Sequence, residues 1–202
     1  MSKQQERFEA MRSETTEKIL FSATKLFAKK TFFKTTIQDI ADDAGISKGL
    51  AYRYFSSKEE IMNKLIDLSV PSLNAIADLF LQKGNEKEIL ITVTKGLLSN
   101  LIEDPSATEG FLLLSQIDSF SKNELDPDLK KQYETSLKKL IDSLSSLIAS
   151  GQENGYFSQG EPRELAFFYY SVYQGIAFTS RTFKAEYIYP SVDQFLSFLI
   201  KE

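Results

Sequence analysis

Cysteine and histidine are both absent from the 202 residues. Without cysteine there is no disulfide framework, no thiolate zinc site and no thiol nucleophile. Without histidine the commonest general base and transition-metal ligand is gone, and with it every Ser-His or Cys-His catalytic arrangement. Long apolar runs are also missing. The N-terminal stretch MSKQQERFEAMRSETTEK has no apolar core of the kind a signal peptide needs, and no segment approaches the roughly 18 uninterrupted apolar residues of a membrane span. A cytoplasmic protein with no membrane partner is the expectation. No nucleotide loop, metal cluster or nucleophile-base spacing appears, so neither an enzyme, a cofactor nor a metal is expected. The carboxylate pairs Glu86/Glu88 and Asp126/Asp128 each fall at a helix start, where capping and the helix dipole account for them.

What is present begins with enough hydrophobic residues, 42% of the chain, to bury one domain or two unequal ones. The net charge of -4 hides an asymmetry: residues 1–66 hold 12 Lys+Arg against 9 Asp+Glu, a balance of +3, and residues 67–202 hold 12 against 19, a balance of -7. The two parts are thereby expected to meet different partners, the first being compatible with nucleic acid.

Apolar periodicity gives helices throughout. Ile19, Leu20, Ala23, Leu26 and Phe27 form one buried face of a helix over about 15–30, following the i, i+3, i+4, i+7 pattern. A short helix follows over 36–43 with Thr36 at its cap, and a third runs from 47 or 48 to 54. The stretch SKEE opens a fourth at Ser57 as a capping box with Glu60, which Pro71 kinks or divides. Asn85 with Glu88 starts a fifth. Asp104-Pro105 and Asp126-Pro127 place an acid before a first-turn proline and open two more. The last two are expected over 162–183 and 190–200. The fold is all-α, about nine helices.

The stretch DIADDAGISKGLAYRYFSSK, from Asp39 to Lys58, carries the chemistry. Gly45 supplies the positive φ that ends one helix and lets the next leave steeply. Ile37, Ile40, Ala41, Ala44, Ile46 and Ala51 form the seam between the two helices. With that seam buried, Lys48, Gly49, Leu50, Tyr52 and Arg53 lie on the outer face or leading end of the second helix. This is a helix-turn-helix unit, whose recognition helix enters the major groove.

Together, ATKLFAKK and TTIQDIADDAGISKGLAYRYFSSKEEIMNKLI resemble the first four helices of the tetracycline-repressor (TetR) family of bacterial transcription regulators, over about residues 15–66. The resemblance implies a helix-turn-helix DNA-binding domain over 1–56 and a helical ligand-binding and dimerisation domain over 57–202, linked by the helix from Ser57. It implies a homodimer on a palindromic double-stranded operator, most commonly a repressor released by a small hydrophobic effector. An all-α protein-interaction module without DNA binding is the alternative. Thr36, Tyr52 and Lys58 match the family's phosphate contacts, and Gln38, Lys48, Gly49, Leu50, Arg53 and Tyr54 match groove-facing positions. Two residues depart from the pattern. Thr31 replaces a glycine that commonly ends the first helix, so a different helix end is expected. Leu50-Ala51 replaces a hydroxyl residue and a larger aliphatic, which removes a hydrogen bond and loosens the packing.

The segment LAFFYYSVYQGIAF over 165–178 is apolar nearly all round, as a helix buried on more than one side would be. The resemblance implies a dimer interface on the last two helices, and Gly175, Phe195, Phe198 and Leu199 are its candidates. The aromatics Phe111, Phe120, Tyr133, Phe168, Tyr169, Tyr173 and Phe178 are candidates for an apolar ligand cavity between the fourth and eighth helices. The acidic balance there favours a neutral or cationic ligand.

Overall fold

A computed structural model describes residues 3–121 and 124–200. Among the described residues there are nine α-helices: α1 Lys3–Lys30, α2 Ile37–Asp43, α3 Lys48–Tyr54, α4 Lys58–Phe80, α5 Glu86–Glu103, α6 Pro105–Leu114, α7 Pro127–Glu153, α8 Pro162–Phe183 and α9 Val192–Leu196. Two short 3-10 turns, Ile117–Ser119 and Lys184–Glu186, complete them. The only extended pairing among these residues is a single antiparallel bridge between Phe157 and Ile200.

Local chemistry sets most boundaries. The Asn85 side chain accepts from the amide of Glu88 at 3.1 Å, and Glu161 does the same for Glu164 at 2.7 Å ahead of Pro162. At α4 the Ser57 hydroxyl accepts from the Glu60 amide, but the Glu60 carboxylate takes the amide and hydroxyl of Ser56 rather than closing a box on Ser57. Pro71 neither ends nor divides α4, which runs through it. The expected last helix is cut short. The chain leaves α9 after Leu196, and the Ser158 amide donates to the Leu199 carbonyl at 2.7 Å. Pairing with the segment at 157–158 thus overrides the helical period of 190–200. Phe157 is itself fully buried against Gly151 in α7, where any Cβ would lie 2.2 Å from its ring.

The chain divides into two compact units, Met1–Ile66 with Glu109–Pro127, and Asp67–Thr108 with Asp128–Glu202. In the first, α1 packs on α2 and α2 on α3, around Ile19, Phe27, Ile40, Ile61 and Met62, all essentially inaccessible. In the second, Leu90, Leu144, Ile148, Leu196 and Leu199 fill the interior. Each such side chain contributes about 1.5–3 kcal/mol by leaving water.

Candidate nucleic-acid interface

The exposed surface of α2 and α3 is built by caps and one turn. Thr36 caps α2: its hydroxyl accepts from the Asp39 amide at 3.1 Å, and the Asp39 carboxylate accepts from the Thr36 amide at 3.0 Å and hydroxyl at 2.7 Å. Gly45, at φ 68°, turns the chain, and the Ile46 amide donates to the Ala41 carbonyl at 3.0 Å. Ser47 then caps α3 through the Leu50 amide. Ile37, Ile40, Ala41 and Ala51 are buried in the seam, while Ala44 and Ile46 are half-buried.

The acids of α2 are engaged by neighbours. Lys30 pairs with Asp39 at 2.9 Å and Lys25 with Asp43 at 2.6 Å. The Gln38 amide nitrogen donates to Asp42 at 2.7 Å. The Lys30 hydrogen bond, followed by those from Thr36, holds the Asp39 carboxyl down at about 2. Beside these, α3 carries Lys48 and Arg53 and no acid. Lys48, Gly49 and Arg53 are exposed, Leu50 and Tyr54 are half-buried, and Tyr52 is 48% exposed with the Lys48 ammonium 6.0 Å from its ring centre. The result is a cationic and aromatic face with hydrogen-bond donors for phosphate and base edges.

Two features were not foreseen. Thr31 keeps the left-handed conformation that a glycine would take, at φ 71°, a strained choice for a β-branched residue. The Thr35 hydroxyl holds it by donating to the Thr31 carbonyl at 2.8 Å. Lys58 closes the same loop. Its ammonium donates to the carbonyls of Phe32, Phe33 and Thr35 at 2.9, 3.2 and 3.1 Å, and lies 4.5 Å from the Phe32 ring centre. An ammonium has three donors, so a phosphate contact requires Lys58 to release a carbonyl. Only the lysine's family position pointed to Lys58, and no local pattern shows a clamp that spans 26 residues.

The aromatic candidates for a ligand cavity separate. Phe120 belongs to the first unit, buried edge-on against Phe32 at 5.0 Å and stacked on Phe33 at 5.9 Å. Phe111 is half-buried in the same unit. In the second unit Tyr133 and Tyr169 are buried, and the Tyr169 hydroxyl shares a 2.8 Å hydrogen bond with Thr94, its ring against Phe195 at 4.9 Å. Burial pushes the hydroxyl of half-buried Tyr173 up to about 12, with Tyr170 adding to the shift. Phe168 and Phe178 are 51% and 65% exposed. None of the seven lines the 440 Å³ groove between α4 and α5 or the 570 Å³ groove between α4 and α7. Of the interface candidates, Phe195 and Leu199 are buried in the second unit, Phe198 packs edge-on against Phe168 at 4.7 Å, and Gly175 is exposed.

The family model for bacterial regulatory proteins of the tetR family matches residues 19–65. The HTH-type transcriptional regulator YfiR of Bacillus subtilis is 28% identical over 163 residues, 78% of this chain and 76% of YfiR. Residues 19–65 carry the tetR-family pattern. YerO of the same organism, also an HTH-type transcriptional regulator, is 50% identical over 50 residues, and that match takes in 25% of this chain and only 17% of YerO. A likeness of fold extends along the chain: AibR, solved with isovaleryl coenzyme A and operator DNA, superimposes with a TM-score of 0.68 at 15% identity, covering 91% of this chain and 94% of AibR. The tetR match falls on α1 to α4, where the caps and the turn lie.

Proposed function

We propose that this protein is a sequence-specific transcriptional repressor of the tetR family that binds a palindromic operator as a homodimer and leaves it when a small hydrophobic ligand binds. The observation that carries the reading is the capped, acid-free α3, which presents Lys48, Tyr52 and Arg53 beside an α2 whose acids are already paired. Arg53 and Lys48 are assigned to base edges, Thr36 and Tyr52 to phosphates, and Gln38, Gly49, Leu50 and Tyr54 to the groove surface. Lys58 acts first as the clamp of the α1–α2 loop and reaches phosphate only by giving up a carbonyl. DNA reading is assigned to residues 1–56, and dimerisation and ligand binding to 57–202.

The dimer is assigned to α8. Phe167, Ser171, Gly175 and Phe178 are exposed at three- and four-residue spacing along it, and the small residues in the middle allow a partner helix to approach closely. That AibR is found with operator DNA and an acyl-coenzyme A supports a protein of this fold answering to both kinds of partner. The interaction-module alternative has no use for an acid-free cationic helix face and is not favoured. A mobility-shift titration with genomic fragments at two salt concentrations tests the reading. A selective complex that weakens steeply with salt is expected, and a protein that retards no fragment selectively refutes it.

A further inference from the structure

We infer that the groove between the C-terminal end of α4 and α5 is a binding site for a small cationic amphiphile. The groove has a volume of about 440 Å³ and lies wholly in the second unit, within the range of small-molecule sites. Its apolar bed includes Ile76 and Leu79 from α4 and Val93 and Leu97 from α5. The α5 side runs from Glu88 to Asn100, about 18 Å at the helical rise, which suits a stretched aliphatic chain. Among its lining residues Glu88 is the one charged side chain. A cationic head group at that end is complementary and a carboxylate or phosphate is repelled, in contrast to the anionic acyl-coenzyme A found with AibR.

Gly96 is the second observation. It sits inside α5, where glycine is among the poorest helix formers, and it lines the groove. A Cβ built there meets nothing within 4 Å, and its φ is not in the left-handed region. Neither packing within the chain nor backbone geometry therefore requires a glycine. A glycine there leaves the backbone open to close approach by a ligand lying in the groove.

The test titrates the full chain by calorimetry, below micelle formation, with decyltrimethylammonium, decanol and decanoate. The cation is expected to bind at least tenfold more tightly than decanoate. Gly96→Phe, which fills the groove, is expected to weaken the cation at least tenfold, and Glu88→Gln to bring the cation and decanol within about twofold. Gly96→Ala, with an unchanged or raised melting temperature, shows that the position tolerates a side chain. The inference is overturned if Gly96→Phe folds and binds the cation like the unmodified protein, if decanoate binds as tightly, or if none of the three probes binds. Its operator arm rests on the ligand-release reading above and separates from it. Cation binding that Gly96→Phe removes but that leaves operator affinity unchanged upholds the groove and refutes release, whereas release by decyltrimethylammonium that survives Gly96→Phe upholds release and refutes the groove.

Discussion

The outer faces of α3 and α8 are both exposed helical stripes of one chain, and their chemistry is opposite. α3 shows Lys48, Tyr52 and Arg53 over paired acids. α8 shows Phe167 and Phe178 around Ser171 and Gly175. The first can hold donors in water and trade its counterions for phosphate. The second gains by being covered with another apolar surface. On the proposed function, one chain carries a wet face for a polyanion and a dry face for a second copy of itself.

The largest expected effect breaks the dry face. Phe178 is 65% exposed, so Phe178→Glu leaves the subunit folded. It is expected to weaken the dimer by about 2 kcal/mol or more, roughly thirtyfold in dissociation constant, and sedimentation should show monomers that no longer hold the operator. The corresponding change at Phe198 is a poorer probe, because that ring packs on Phe168 within its own chain.

Breaking the wet face comes next. Arg53→Ala is expected to lose about 1–3 kcal/mol on the preferred sequence and less on random DNA. Equal losses on both, measured by competition binding, would move Arg53 from the base-reading set to the phosphate set. The dimer should be untouched, which separates the two faces.

The legibility of each face from sequence follows the range of the interactions that build it. α2 and α3 were readable because Thr36, Gly45 and Ser47 act within four residues of themselves. Thr31 was misjudged although one of its partners, Thr35, is only four residues away. Its local preference argues against a left-handed backbone, and the atoms beside that choice come from Thr35 and, through the following carbonyls, from Lys58. In α8 the sequence is apolar nearly all round, so periodicity could not separate buried Tyr169 from exposed Phe168 one residue away. The segment 195–200 has a helical pattern, but its last residue pairs with Phe157, 43 positions earlier. Contacts distant in sequence enter each of these points, through Lys58 alone at the Thr31 loop, and no local pattern encodes them.

Thr31→Gly sharpens the account of the loop between α1 and α2. Removing the β-branched side chain from φ 71° relieves about 1 kcal/mol of strain, offset in part by glycine's greater freedom in the unfolded chain. A net gain of a few tenths of a kcal/mol in urea unfolding is expected, with operator affinity unchanged.

The smallest effect is at acid pH. Asp39 falls from its ordinary 3.8 to about 2 in the folded protein, mainly through Lys30 and then Thr36. A depressed carboxyl stabilises the fold fully above its unfolded pKa, and that contribution disappears as pH falls through the folded value. The loss therefore runs from about pH 4 down to about pH 2. Asp39→Asn should flatten the stability profile in that window and leave its shape near neutrality unchanged.

Selection of preferred sequences from a random DNA pool tests the division of labour most directly. The account predicts enrichment of a two-fold symmetric site whose half-sites lie about one helical turn apart, roughly 34–36 Å, or a modestly larger span. Phe178→Glu should lose the symmetric site, and Arg53→Ala should alter matching bases in both halves. An asymmetric single motif, or no enrichment from a pool the protein binds, would contradict it.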